Sequence, residues 1–186
     1  KAPTMMESAR QYTNTGIIAL QLSEFIAACG YSARAHIDGV YDLVLPLVAS
    51  DSGLGTIGRM GILINPKLGP ACRIAAVSTD MPLDVIDNSK PESSVIDFCR
   101  LCEKCANVCP SAAIPKGEPE KIDDISRWQI NQEACYTYWT KAGTDCARCM
   151  AVCPYTHEDN ILHRFIRFGI KNNFIFRRIA VKMDDL

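Results

Sequence analysis

No stretch of this sequence is long and apolar enough to cross a bilayer. A spanning helix needs about 18 or more consecutive apolar residues, and the longest run here, VYDLVLPLVA, is interrupted by Asp42. A basic excess is lacking too: 20 Lys and Arg stand against 21 Asp and Glu, a formal charge of −1. That balance excludes the clustered positive surface of a nucleic-acid binder, and no nucleic acid is expected as a partner. The first residues, KAPTMMESAR, have neither the basic region nor the apolar core of an export signal. There is no low-complexity tract. What the sequence does have is 48% hydrophobic residues over 186 positions, enough to bury the core of one or two globular domains, and ten cysteines.

Spacing decides what the cysteines are for. Eight of the ten fall into two groups that end in Cys-Pro, an arrangement that disulfide frameworks do not need. CRLCEKCANVCP places Cys99, Cys102, Cys105 and Cys109 in the pattern CxxCxxCxxxCP. Three thiolates at this spacing wrap one cubane, and the fourth, before proline, reaches the other cluster of a two-cluster ferredoxin. A zinc site would more often use two separated CxxC pairs and has no use for the cysteine before Pro110. The same logic applied to Cys146, Cys149 and Cys153 sends Cys153 across to the first cluster. The expected sets are Cys99, Cys102, Cys105 and Cys153 for one [4Fe-4S] cluster, and Cys109, Cys135, Cys146 and Cys149 for the other. Ten residues, YTYWTKAGTD, separate Cys135 from Cys146; they read as a long loop that carries Tyr136, Tyr138 and Trp139 outward.

Around these groups the chain reads as mixed helix and strand. Residues 5–29 are expected to be helical, with Ile18, Leu22, Phe25, Ile26 and Cys29 as a buried apolar stripe and Gly30 as its cap. YSARAHI and CRIAAVST are strand candidates. DVIDNSKPESS has linker composition, which puts a boundary near residue 90. The final segment is basic and amphipathic, and is expected to pack on the domain as helix. His157 and His163 read as surface or capping residues.

SGLGTIG contains a GxGxxG match at Gly53, Gly55 and Gly58, with Asp80 about 20 residues beyond. A dinucleotide site requires a buried strand before this motif and a long helix after it. Pro46 on one side, and Pro66, Gly69 and Pro70 on the other, argue against both. The glycines are instead expected to let backbone approach a large flat ligand.

The succession GLGTIGRMGILINPKLGP and CRIAAVSTDMPL, FCRLCEKCANVCP, CYTYWTKAGTDCARCMAVCP, NILHRFIRFGI and FRRIAVKMDD resembles the C-terminal half of corrinoid-dependent reductive dehalogenases, over essentially the whole chain. The resemblance implies an α+β fold in three parts: part of a nitroreductase-like cobalamin-binding core (1–90), a ferredoxin-like two-[4Fe-4S] domain (91–160) and a C-terminal amphipathic helical segment (161–186). It implies base-off cobalamin beside the two clusters. Electrons would pass from the Cys109 set to the Cys99 set and then to cobalt, removing halogen from a small organohalide. Tyr12 matches the family's proton donor and Arg73 its cation. A free phenol, with a pKa of about 10, is a poor acid until a neighbouring cation stabilises its phenolate. His36, Asp38, Gly53, Gly55, Gly58 and Thr79 are the implied corrinoid contacts, and Cys72 is a core thiol.

The family's N-terminal half has no counterpart in this chain. A fragment is therefore expected, completed by a missing N-terminal portion or a partner chain. Other implied partners are a low-potential electron donor, such as a ferredoxin, a flavodoxin or a membrane anchor. The expected location is cytoplasmic or peripheral at a membrane. Two alternatives stand beside this reading. An epoxyqueuosine reductase would show helical repeats after the clusters and a basic surface for transfer RNA, and neither is visible. A ferredoxin-like carrier without catalysis would leave Tyr12 no role.

Overall fold

The computed structural model describes residues 2–84, 93–122 and 124–183, and within them the chain mixes helix and short strand. The first helix, α1, runs from Ala2 to Ala28 and gives way to Gly30, whose φ of +91° suits the missing Cβ. Its packed face is only in part the expected stripe, of which Ile26 alone is buried. Gly16, Ala19 and Ile26 are buried, while Ile18 and Phe25 are 63% and 65% exposed and Leu22 and Cys29 also face outward. Small residues won the inner face because α1 lies close on a two-stranded sheet. A Cβ on Gly16 would sit in ordinary van der Waals contact, 4.0 Å from the Ile37 side chain.

That sheet pairs β1 (Ala33–His36) with β4 (Ala76–Thr79), antiparallel, with Ala33 opposite Thr79 and His36 opposite Ala76. Both strands come from segments whose sequence reads as strand. Between them lie α2 (Leu45–Asp51), with proline in its first turn, and a tight antiparallel pair, β2 (Thr56–Ile57) with β3 (Leu63–Ile64). The GxGxxG match thus closes a short helix and enters a hairpin. It opens no helix, which removes the dinucleotide reading.

Downstream, α3 (Ser93–Cys102) and α4 (Lys104–Asn107) carry the first cysteine group. A hairpin of β5 (Glu120–Ile122) and β6 (Ile125–Arg127) follows. The second group spans α5 (Gln132–Ala142) and α6 (Arg148–Ala151). The gap after Cys135 is therefore helix rather than loop. Its boundary signals are local: the Asn131 side chain accepts the Ala134 N–H at 2.9 Å, and Gly143, at φ +69°, ends the helix with its N–H on the Trp139 carbonyl. Tyr136 and Trp139 face outward, as expected, while Tyr138 is half-buried.

One apolar core joins these pieces. Met60 and Ile64 from the hairpin pack with Phe98, Cys105, Tyr155 and Ile170, and Phe98 meets Tyr155 edge-on at 5.5 Å. The end of the chain folds as α7 (Ile161–Asn172) and α8 (Phe174–Met183), both resting on α3. Arg177 holds them there, donating to Asp97 Oδ2 at 2.8 Å and to the Ile170 carbonyl at 2.7 Å. The outer face of α7 remains apolar, with Ile161, Phe165 and Phe168 exposed. His157 and His163 stack on each other, rings 4.8 Å apart. Among the described residues no helix is long and apolar enough to cross a membrane.

Candidate metal centres and proton-donor site

The two cysteine groups fold as copies of one device. In CEKCANVCP and CARCMAVCP, the residue after the first cysteine, Glu103 or Ala147, takes a left-handed backbone at φ of 49° and 50°. A single turn of helix follows in each, and Val108 and Val152 close it at the same φ of −93°. Non-glycine residues pay about 1–2 kcal/mol for such a conformation. Its recurrence at equivalent positions marks a turn that the ligand geometry demands. The spacing reveals the cysteines but not this turn.

Cys99, Cys102, Cys105 and Cys153 line one small cavity, the neighbourhood from which a crossed ligand set is proposed. Cys153 is buried, and burial pushes its thiol up to about 12; the neighbours that raise it further are Cys99, Cys102 and Cys105. Burial also lifts Cys105 to about 12, with Cys99 and Cys102 adding to the effect. In the second set, Cys149 is raised by burial and then by Cys135, Cys109 and Cys146. Cys135 is raised by burial and then by Cys109 and Cys146. Cys109 differs. Partial burial works to raise it, but hydrogen bonds from Ser111 and the backbone amides of Ala113 and Ile114 together hold it below the usual thiol range. Raised thiols such as Cys99, Cys105 and Cys153 release their protons when a metal binds.

The donor sets fit two four-iron clusters. No disulfide links any of the ten cysteines. Among the described residues no three metal-binding groups converge tightly enough to share one ion; a cubane takes its four thiolates at separate irons. Gly58 supplies a cradle for Cys99: a Cβ there would overlap the Ile64 side chain and lie 3.6 Å from Cys99 Sγ. The Arg59 backbone amide hydrogen-bonds to Cys99, which rises to about 11 because burial outweighs that bond. The Arg59 side chain is 1% exposed and leaves Nη2 without a hydrogen-bond partner. Sequence reasoning missed Arg59 altogether.

Tyr12 and Arg73 come together. The Arg73 guanidinium lies over the Tyr12 ring, 4.3 Å from its centroid, and Arg73 Nη2 donates to Ser8 Oγ one turn earlier on α1. Tyr12 remains 39% exposed. The start of the same helix meets the second cysteine group, where Thr144 Oγ1 lies 3.9 Å from Met5 Sδ. Cys72, beside Arg73, is half-buried and raised by burial.

The six expected corrinoid contacts are placed less suggestively. His36 is buried; Nε2 meets Ser78 Oγ at 2.9 Å and Nδ1 accepts the Asp42 N–H at 3.4 Å. The Thr79 hydroxyl donates to the Ser32 carbonyl and accepts the Met81 N–H. Gly55 packs on the Ile64 backbone, Gly58 faces Cys99, and Gly53, at φ +78°, lies just beyond α2. Asp38 is exposed on a turn. Asp80, the acid of the dinucleotide match, accepts the Ser32 N–H at 2.8 Å.

Residues 98–157 match the family described as a 4Fe-4S dicluster domain, which defines this part of the chain as a two-cluster iron–sulfur module. The similarity to reductive dehalogenases reaches further. The tetrachloroethene reductive dehalogenase of Sulfurospirillum multivorans is 34% identical over 99% of this chain, which spans 38% of that relative. A reductive dehalogenase whose solved structure suggests a mechanism for B12-dependent dehalogenation superposes with a TM-score of 0.90 at 29% identity, over 97% of this chain and 26% of its own. The epoxyqueuosine reductase of Staphylococcus aureus is 27% identical over 62% of this chain and 31% of its own length. The chain is thus a relative of the reductive dehalogenases along nearly its whole length, spanning well under half of theirs.

Proposed function

We propose that this chain is the electron-delivering and proton-donating part of a corrinoid-dependent reductive dehalogenase. The observation that carries the proposal is the Arg73 guanidinium stacked on Tyr12, a pairing that an electron carrier has no use for. In the overall reaction an organohalide gains two electrons and a proton, and its carbon–halogen bond is replaced by carbon–hydrogen with release of halide. When bound, the clusters supply the electrons and the corrinoid supplies the metal that meets the carbon–halogen bond. Tyr12 holds the proton at Oη. Arg73, fixed by Ser8, stabilises the phenolate left when that proton moves to carbon.

In this reading residues 1–90 contribute to a nitroreductase-like core, 91–160 hold the clusters and 161–186 form a C-terminal amphipathic helical segment. The exposed stripe of Ile18, Leu22 and Phe25 on α1 supports a further portion of the protein, or a partner chain, that packs there and completes the corrinoid pocket. His36, Thr79, Gly55 and Gly58 use their polar atoms or close approaches inside this chain, so the proton chemistry above is assigned to Tyr12 and Arg73 alone. The donor is a low-potential ferredoxin, flavodoxin or membrane-anchored protein.

The test is anaerobic production of the full-length protein, loaded with iron, sulfide and hydroxocobalamin, and assayed for chloride release from tetrachloroethene with reduced methyl viologen. Bound corrinoid and chloride release are expected. A protein with both clusters that takes up no corrinoid would instead be an electron carrier.

A further inference from the structure

Arg59 lies in the connection between β2 and β3, outside residues 98–157, yet its side chain reaches Cys99, Glu103, Pro115, Gly117 and Trp128, all within them. Nε donates to the Cys99 carbonyl at 3.0 Å, and Nη1 to the carbonyls of Pro115 and Gly117 at 2.9 Å each. The guanidinium stacks 4.7 Å from the Trp128 ring. Nη2 lies 3.2 Å from Glu103 Oε1, an ion-pair distance without hydrogen-bond geometry. Glu103 is the left-handed residue between Cys102 and Cys105, and it is partly open to solvent.

Burying a guanidinium is costly, and an apolar side chain of similar size would fill the space more cheaply. The charge must therefore serve a purpose beyond packing. Arg59 lines the same small cavity as Cys99, Cys102, Cys105 and Cys153. A four-thiolate cluster is anionic and becomes more so on reduction. In a low-dielectric site a fixed cation favours the reduced form. The second set has a different environment: Arg148, within its cysteine motif, is exposed to water, and Cys109 is served by neutral donors.

The geometry points to Arg59 as the residue that sets the electron gradient. Its buried charge raises the reduction potential of the cluster on Cys99, Cys102, Cys105 and Cys153, and Glu103 partly offsets it. Electrons arriving at the Cys109 set then run toward the Cys99 set. This inference rests on the two-cluster reading and acts through the cluster, so Arg59 is a tuning residue rather than a catalytic one.

The experiment is an EPR-monitored potentiometric titration of the full-length protein, reconstituted anaerobically, with iron content measured on each sample. Arg59→Gln is expected to lower one of the two midpoint potentials and leave the other in place, while Arg59→Lys stays closer to wild type. Glu103→Gln is expected to move the same midpoint upward. Its amide oxygen can still accept the Gly117 N–H that Glu103 accepts at 3.0 Å, so the turn is kept. A Glu103→Gln midpoint that is unchanged or lower overturns the proposal, even if Arg59→Gln fails to fold. So does an iron-replete Arg59→Gln protein whose two midpoints are both unmoved or shift together. A wild-type protein without iron would defeat the two-cluster reading, and the iron measurement reports that separately from any potential.

Discussion

The guanidinium carbon of Arg73 sits 4.3 Å from the centre of the Tyr12 ring, and the same guanidinium donates to Ser8. A face-on cation holds the ring in place and leaves the hydroxyl at its edge available. Tyr12→Phe keeps the stacked ring and removes only the proton. In the full-length, fully loaded protein, turnover of tetrachloroethene is expected to fall by about a hundredfold or more, the usual scale for losing a general acid. Iron and corrinoid contents should not change. Undiminished chloride release would show that the proton comes from elsewhere.

The proposed crossing of Cys153 into the first thiol set, whose cavity it shares, makes a prediction that an in-line assignment does not share. Replacing Cys99 and Cys153 together by alanine removes two ligands from one cluster, so about four of eight irons should remain. If each motif held its own cluster, the same double variant would damage both and most of the iron would go. Iron analysis after anaerobic reconstitution separates the two.

Gly69 ties the segment before the clusters to the segment after them. Its φ is +59°, and a Cβ at this position would overlap the Tyr155 carbonyl oxygen, which is backbone and cannot swing aside. Gly69→Ala should cost about 1–3 kcal/mol for overpacking and about 1 kcal/mol more for the left-handed backbone. Denaturant unfolding checks this, with a lower midpoint expected; a midpoint equal to wild type would mean the contact is slack.

How far the sequence carried depended on how local each cause was. The cysteine motifs were legible because thiolates two residues apart can serve one cubane, and the Cys-Pro position is what suggests the proposed crossing. The strands that contain His36 and Val77 were legible, the first from alternation and the second from its small and β-branched residues. The helix after Cys135 was not read, because aromatic and threonine residues in YTYWT suggest strand or loop, although Asn131 and Gly143 carried the capping signals. The stripe on α1, Ile26 apart, was assigned to the wrong side: apolar periodicity gives a face but does not say which face a small-residue contact has already claimed. Arg59 could not be found at all, since its hydrogen-bond partners lie 40 to 58 residues along the chain. Tyr12 and Arg73 were paired only through the family resemblance, and spacing alone offers no link between them.

The central claim is that this chain holds two [4Fe-4S] clusters in crossed thiol sets. The measurement that tests it most directly is iron and acid-labile sulfide analysis of the anaerobically reconstituted full-length protein, together with EPR of the dithionite-reduced sample. The account predicts about eight irons and eight sulfides per chain and two interacting reduced centres. A protein that takes up about four irons and one centre, or that binds zinc and no sulfide, would contradict it.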